Sequence, residues 1–262
     1  MPARLGQHFL INPRAIAEAV SALEIETGDT VIEIGPGKGA LTLPLARRAA
    51  ERGALLIAIE RDPRLAEAVR RASQDAGLAH AVEIVAGDMR RVFASRTAPL
   101  AAYKLAGNIP YYLSGYLLRT ISASAPQPTR TALMLQSEVA ERLAAKPPRM
   151  NMLAAATQFS YEPRILMRLG PSDFSPPPKI HSALVLLTRR KETPPIPFPT
   201  YEKIARMIFR QPRKTIVNNL ARGLALPKSE IVPRLKAFSL TGTERPGSLS
   251  LDLLINIAKI CG

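Results

Sequence analysis

From residue 30 onward, short aliphatic runs alternate with helical patterns, and this alternation limits the fold more than any other feature of the chain. TVIEI (30–34), ALLIAIE (54–60), AVEIVAGD (81–88) and YKLAGN (103–108) read as buried strands. Residues 39–51 and 62–72 read as helices between them, with Asp62 placed to cap the second and Pro63 at its first position. A helix is expected before them at 14–23, where Ile16, Ala19, Val20 and Leu23 recur at helical spacing. Helices are also expected at 114–123, 137–145 and 150–159, and strands at 131–136 and 182–188. Strand–helix alternation of this kind folds as an α/β domain, a parallel sheet with helices on both faces.

The pattern changes near residue 189. RRKETPPIPFPT (189–200) holds four prolines and reads as a linker. Beyond it, 201–211, 213–223, 228–237 and 248–260 are helical in period, with no strand. The expected division is a catalytic α/β domain at 1–188, then a linker and small all-helical domain at 189–262. A chain of 262 residues, 47% hydrophobic, has room for two such cores. No apolar run is long enough to span a membrane, and MPARLGQHFLINPR lacks the apolar stretch of a signal peptide. The single cysteine, Cys261, excludes an intrachain disulfide framework and a cysteine zinc cluster. A cytoplasmic protein is the expectation. The net charge of +15 suits a polyanionic partner, since each neutralised phosphate releases counterions.

TVIEIGPGKG places Gly35, Gly37 and Gly39 between the first strand of the alternation and a helix. Glycines there let a ligand approach the backbone, and a helix N-terminus favours negative charge. Glu60 ends the next strand, where a carboxylate can accept from both hydroxyls of an adenosine ribose. A nicotinamide dinucleotide would satisfy Glu60 equally well. Three features favour S-adenosylmethionine: the GxGxG spacing, Asp88 in AGDM at the end of the third strand as an acceptor for an adenine amine, and the lack of an acid/base suited to hydride transfer.

NIPYY (108–112) follows the fourth strand at the edge that faces such a cofactor. The exocyclic amine of adenine is a poor nucleophile because its lone pair is delocalised into the ring. The side-chain oxygen of Asn108 and the backbone carbonyl of Ile109 can accept its two N–H bonds, and Pro110 stiffens the turn so that both converge. Tyr111 can stack on the base. Proximity and preorganised polarity then suffice without a strong base.

LGQHFLIN (5–12), EIGPGKGALT (33–42), AIERD (58–62), AGDM (86–89), GNIPYYLS (107–114), MLQSEVAERL (134–143), FSPPPKIHSALVLL (174–187) and QPRKTIVNNL (211–220) together cover nearly the whole chain. In this order they resemble the KsgA-type rRNA adenine dimethyltransferases. The resemblance implies a Rossmann-like methyltransferase domain and a small C-terminal helical domain. It implies that His8 and Leu10 line the cofactor, that Gly35, Gly37, Glu60, Asp88, Met89 and Asn108 complete its site, and that Phe174 sandwiches the target base against Tyr111. The base must leave its stack for this. Three positions depart from the family pattern: His8 stands for a usual Asn, His181 for a common Asp, and PPRMNML (147–153) for a Tyr-Gly-containing stretch. His80 and His181 are far apart in sequence, and no metal site is expected.

Lys203, Arg206, Arg210, Arg213, Lys214 and Arg222 fall within 203–222, which contains no acid, and are expected to meet RNA phosphates. By resemblance, the partner is small-subunit rRNA in an immature 30S-type particle, two adjacent adenosines near its 3′ end are each dimethylated, and the enzyme acts as a monomer. An Erm-type enzyme acting on large-subunit RNA is the nearest rival, and the QPRKT and FxPPPK elements weigh against it. A non-catalytic ribosome-assembly factor on the same fold is the second rival, against which the intact 108–111 segment argues.

Overall fold

A computed structural model describes residues 8–262, the side chain of Tyr111 excepted. The expected roles of Leu5–Gln7 within the first motif and of the Tyr111 ring lie outside the described residues. In chain order, the first part of the chain forms β1 (Phe9–Leu10), α1 (Pro13–Ala22), β2 (Thr30–Ile34), α2 (Thr42–Arg52), β3 (Leu55–Glu60), α3 (Pro63–Asp75), β4 (Val82–Ala86), α4 (Met89–Thr97), β5 (Lys104–Asn108), α5 (Ser114–Ala123), β6 (Arg130–Gln136) and α6 (Ser137–Leu143). Then come α7 (Met152–Ser160), β7 (Tyr161–Leu169), β8 (Phe174–Ser175), β9 (Ser182–Arg189), α8 (Phe198–Ile208), α9 (Ile216–Leu224), α10 (Lys228–Lys236) and α11 (Leu251–Cys261).

Seven strands make one sheet in the order β4-β3-β2-β5-β6-β9-β7. The first five run parallel, and β9 returns antiparallel against β6 with Met134 opposite Leu184. The near-continuous burial of β2, β3, β5 and β6 is what a sheet covered on both faces demands. β1 and β8 form a separate two-stranded pair. The strand over 161–169 and the helix over 89–97 were not foreseen. In β7 the burial alternates only weakly and three of the nine residues are proline or arginine, so an edge strand gave no apolar run to read.

Local chemistry fixes the helix starts on the site side of the sheet. Asn12 accepts from the Arg14 and Ala15 amides at 2.9 and 3.1 Å, Asp62 from Arg64 at 2.9 Å, and Asp88 from Arg90 at 3.0 Å. Each such cap contributes about 1 kcal/mol. At the opposite edge, Arg130 donates from Nε to the Ala22 carbonyl at 2.7 Å and pairs with Glu24 at 2.9 Å. Buried Lys104 pairs with Asp29 at 2.5 Å and also donates to the Glu24 carbonyl. The orphan carbonyls at the end of α1 are thereby satisfied by two cations from the sheet.

The chain divides into two compact units: one holds the residues up to Ala140 together with Pro163–Arg189, the other Glu141–Glu162 together with Arg190–Gly262. The break at 189 falls where the proline-rich linker was expected, but 141–162 belongs with the helical unit and not with the sheet. Packing explains the correction. Phe159 of α7 stacks on Tyr201 at 4.4 Å and lies 5.5 Å from Phe198, and the Tyr201 hydroxyl donates to the Ala155 carbonyl at 3.0 Å. The apolar face of α7 therefore completes a core with Ile204, Ile208, Leu220 and Ile257. Among the described residues, no helix is long and apolar enough to cross a membrane.

Candidate active site

The strand order brings four sequence-predicted positions to one edge of the sheet, because β4, β3, β2 and β5 are neighbours and all end there. At the end of β2 the chain turns through Gly35, Gly37 and Gly39 with φ of 71°, 57° and 84°. A Cβ at Gly37 would lie 2.7 Å from the Phe9 ring, so this turn tolerates no side chain. Buried Glu60 accepts from the Gly37 amide at 3.0 Å and from the Asp62 amide at 2.9 Å, one bond on each carboxylate oxygen. The lone pairs left over can accept a ribose diol.

Asp88 has a partner that the sequence did not suggest. Arg90 holds its carboxylate at 2.6 Å through Nη2, and Arg61 stands 4.0 Å away. The Arg90 side chain and amide keep the Asp88 carboxyl at about 2, so it is an anion with both oxygens already accepting from Arg90. Met89 beside it is buried.

Glu33 is a site residue that the sequence reading missed. Burial raises its carboxyl to about 8, and the charge of Glu60 adds to the effect. Its Oε2 and the Thr42 Oγ1 meet no hydrogen-bond partner at bonding distance, although the Thr42 hydroxyl is near enough to oppose part of the rise. The signal was present: one acid stands between Ile32 and Ile34 in an otherwise apolar strand, two residues before the first glycine. An orphaned buried carboxyl oxygen beside a side-chain-free turn fits S-adenosylmethionine, which carries an ammonium, a sulfonium and ribose hydroxyls.

Asn108 ends β5 immediately after Gly107, where a Cβ would lie 2.6 Å from the Ile34 carbonyl oxygen. Its Nδ2 donates to the His8 carbonyl at 2.7 Å. Only the amide nitrogen can serve that partner, so the bond fixes which end of the amide is the acceptor. Ile109 is buried, and the Pro110 carbonyl accepts from the Leu113 amide at 2.8 Å to close the turn.

The His8–Asn12 segment is in turn zipped to the segment around Phe174. Leu10 pairs with Phe174 and Phe9 with Ser175, the Ile11 amide donates to the Asp173 carbonyl at 2.8 Å, and His8 Nδ1 lies 2.7 Å from the Pro176 carbonyl oxygen. Asn12 Nδ2 donates to Asp173 Oδ1 at 2.8 Å, while Asp173 Oδ2 accepts from the Gly170 amide at 2.6 Å. Phe174 is only 3% exposed and packs with Leu10, Ala15 and Met134. The ring that the resemblance sets against the base is thus largely buried in this structure. His80 and His181 are exposed, and no group of three metal-ligating side chains occurs among the described residues.

In the helical unit, Lys203, Arg206, Arg210, Arg213, Lys214 and Arg222 are all exposed. They are divided between two helices and a loop. Arg210, Arg213 and Lys214 lie on the loop between α8 and α9, because Pro212 interrupts the first helix and Thr215 caps the second. Asn219 Nδ2 holds this loop through the Gln211 carbonyl at 3.0 Å. Arg206 is paired with Glu202 at 2.5 Å, one turn earlier on α8.

A doubly wound sheet with a glycine turn, a ribose-type acid and an Asn-x-Pro-Tyr turn on one edge defines a Rossmann-like, S-adenosylmethionine-dependent methyltransferase. The chain belongs to the ribosomal RNA adenine dimethylase family, whose model matches residues 2–233. It is 35% identical over 273 residues to the ribosomal RNA small subunit methyltransferase A of Pelotomaculum thermopropionicum, covering 97% of this chain and 89% of that one. Its fold is that of a dimethyladenosine transferase from Plasmodium falciparum, with a TM-score of 0.80 at 23% identity over 95% of this chain and 96% of the other. The 23S rRNA methyltransferase ErmE shares the fold at a TM-score of 0.76 and 24% identity, over 96% of this chain and 98% of that one.

Two predictions follow from this geometry. Glu33 binds a proton in the folded chain up to about pH 8 but gives it up near 4.5 when unfolded. Its contribution to stability is full below pH 4.5 and is lost as pH rises through 8. Thermal melting of Glu33→Gln should therefore show a flatter decline over that window than the parent. Asn12→Asp keeps the cap on α1 but sets a carboxylate against Asp173. Melting and methyl-transfer rates should both fall, by about 1–3 kcal/mol in stability. Adding Asp173→Asn should restore both, since donor and acceptor are merely exchanged; additive losses would refute the clasp.

Proposed function

We infer that this enzyme methylates the exocyclic amines of two adjacent adenosines near the 3′ end of small-subunit rRNA, acting in the cytoplasm as a monomer on an immature particle. The relative from Pelotomaculum carries the small subunit in its name, and the likeness to ErmE, at 24% identity, speaks for the fold alone. The large-subunit reading and the non-catalytic one have no comparable support. Roles for the sheet unit as catalytic and the helical unit as the part that docks on RNA belong to the same proposal.

The observation that carries it is the orientation of Asn108. With Nδ2 committed to the His8 carbonyl, Oδ1 is the end that can accept an N–H from the adenine amine. The Ile109 carbonyl takes the second N–H, and the two acceptors together favour a pyramidal nitrogen with a free lone pair. Gly35 leaves space against the backbone for S-adenosylmethionine, Gly37 admits the Phe9 ring beside it, Glu60 holds the ribose, Asp88 the adenine, and Glu33 the cationic end. Bound there, S-adenosylmethionine supplies an activated methyl group on sulfur. Leu10, Met89 and Phe174 are buried beside the polar groups and keep water from them.

Asn108→Ala should lower transfer to unmethylated small subunits by about 100-fold or more while subunit binding persists. Scintillation counting of tritiated methyl incorporation measures this, and near-normal turnover would remove the mechanism. Replacing Arg210, Arg213 and Lys214 together by Ala should weaken subunit binding and flatten its salt dependence by about two to three units of log–log slope. An unchanged slope would exclude that loop from phosphate contact.

A further inference from the structure

Six large hydrophobic side chains are exposed among the described residues: Ile11, Leu55, Tyr112, Tyr116, Ile180 and Ile260. Four of them lie on the three segments that frame Asn108, namely 8–12, 108–116 and 174–182. Two of those four are aromatic. Tyr112 is 59% exposed and Tyr116 36% exposed, so neither is there to fill the core. They stand four residues apart across the start of α5, and Arg119 follows one turn on. All three are exposed, while Leu117, Leu118 and Ile121 turn inward.

The charged residues on the pair's own stretch of chain are all cationic. No Asp or Glu occurs from Met89 to Ser137. Arg90, in the first turn of α4, is held chiefly by Asp88, and the phenol groups of Tyr112 and Tyr116 also act on its charge, which places all three within electrostatic reach. Exposed rings beside guanidinium groups are what single-stranded nucleic acid requires. The rings stack on bases irrespective of sequence, and the cations follow the backbone.

We propose that Tyr112 and Tyr116, flanked by Arg90 and Arg119, form a stacking platform for the unpaired RNA nucleotides next to the target adenosine. The proposal rests on the reading of the chain as an RNA adenine methyltransferase and extends it to a subsite. Continuity with the site supports it, since Tyr112 is four residues from Asn108 on an unbroken stretch of chain. Drawing an adenine out of its stack leaves its neighbours without a partner face, and the platform replaces that face.

The test compares Tyr112→Ala/Tyr116→Ala with Tyr112→Phe/Tyr116→Phe, after melting has shown both to be folded. With unmethylated small subunits, the alanine pair should raise KM about ten-fold or more, leaving the affinity for S-adenosylmethionine and the salt slope of binding unchanged. The phenylalanine pair should behave as the parent, because the ring and not the hydroxyl is used. A second arm uses a single-stranded oligoribonucleotide carrying 2-aminopurine, whose fluorescence is quenched on stacking and needs no methyl transfer. Quenching by the parent and the phenylalanine pair but not the alanine pair supports the platform, even if small subunits prove not to be the substrate. Equal quenching and equal KM in all three proteins, or a phenylalanine pair as impaired as the alanine pair, overturns it. Absence of transfer by the parent protein would count against the functional reading alone.

Discussion

The hydrogen bond from Asn108 Nδ2 to the His8 carbonyl joins the parts on which catalysis depends. It orients the amide, and it ties the end of β5 to the segment that precedes α1. That segment is bonded along its length to the Asp173–Pro176 stretch, so the bond has a rigid anchor. The glycine turn reaches the same assembly through the Phe9 ring, above which Lys38 Nζ lies at 5.0 Å. One short contact thus sets the acceptor geometry, and side chains distant in sequence maintain it.

The two ends of the sheet are built on opposite principles. At the site end, Glu33 and Glu60 are both buried, and Glu33 stays protonated chiefly because burial disfavours its charged form, with the charge of Glu60 adding to the effect. At the other end, Lys104 and Arg130 meet Asp29, Glu24 and the last carbonyls of α1, so charge and hydrogen bonding are satisfied within the chain.

Much of this was legible in the sequence because period and punctuation are local. The parallel strands, the caps at Asp62 and the glycine turn were read from spacing alone, and the resemblance to rRNA dimethyltransferases placed Asn108 and its neighbours. What escaped depended on tertiary context. The face of 150–159 is apolar whichever core receives it, so only the Phe159–Tyr201 stack reveals that α7 belongs to the helical unit. The pairing of Asp88 with Arg90 is settled by a helix start that the sequence reading had not located. The helical periods at 201–211 and 213–223 were read as nearly abutting, yet Pro212 and the Thr215 cap leave Arg210, Arg213 and Lys214 on a loop between α8 and α9.

The threading of the chain has a consequence for how the protein is made. The polypeptide passes from the sheet unit to the helical unit at Glu141, returns at Pro163 and leaves again after Arg189. A nascent chain on the ribosome therefore displays α7, with Phe159 uncovered, well before Tyr201 and Ile204 emerge to receive it. The sheet can close around β9 during that interval, but the helical unit stays half-built until translation is almost finished. For the same reason a single recombination breakpoint cannot exchange this unit between relatives, since a cut after Arg189 leaves α7 behind and a cut at Glu141 carries Pro163–Arg189 of the sheet unit with it.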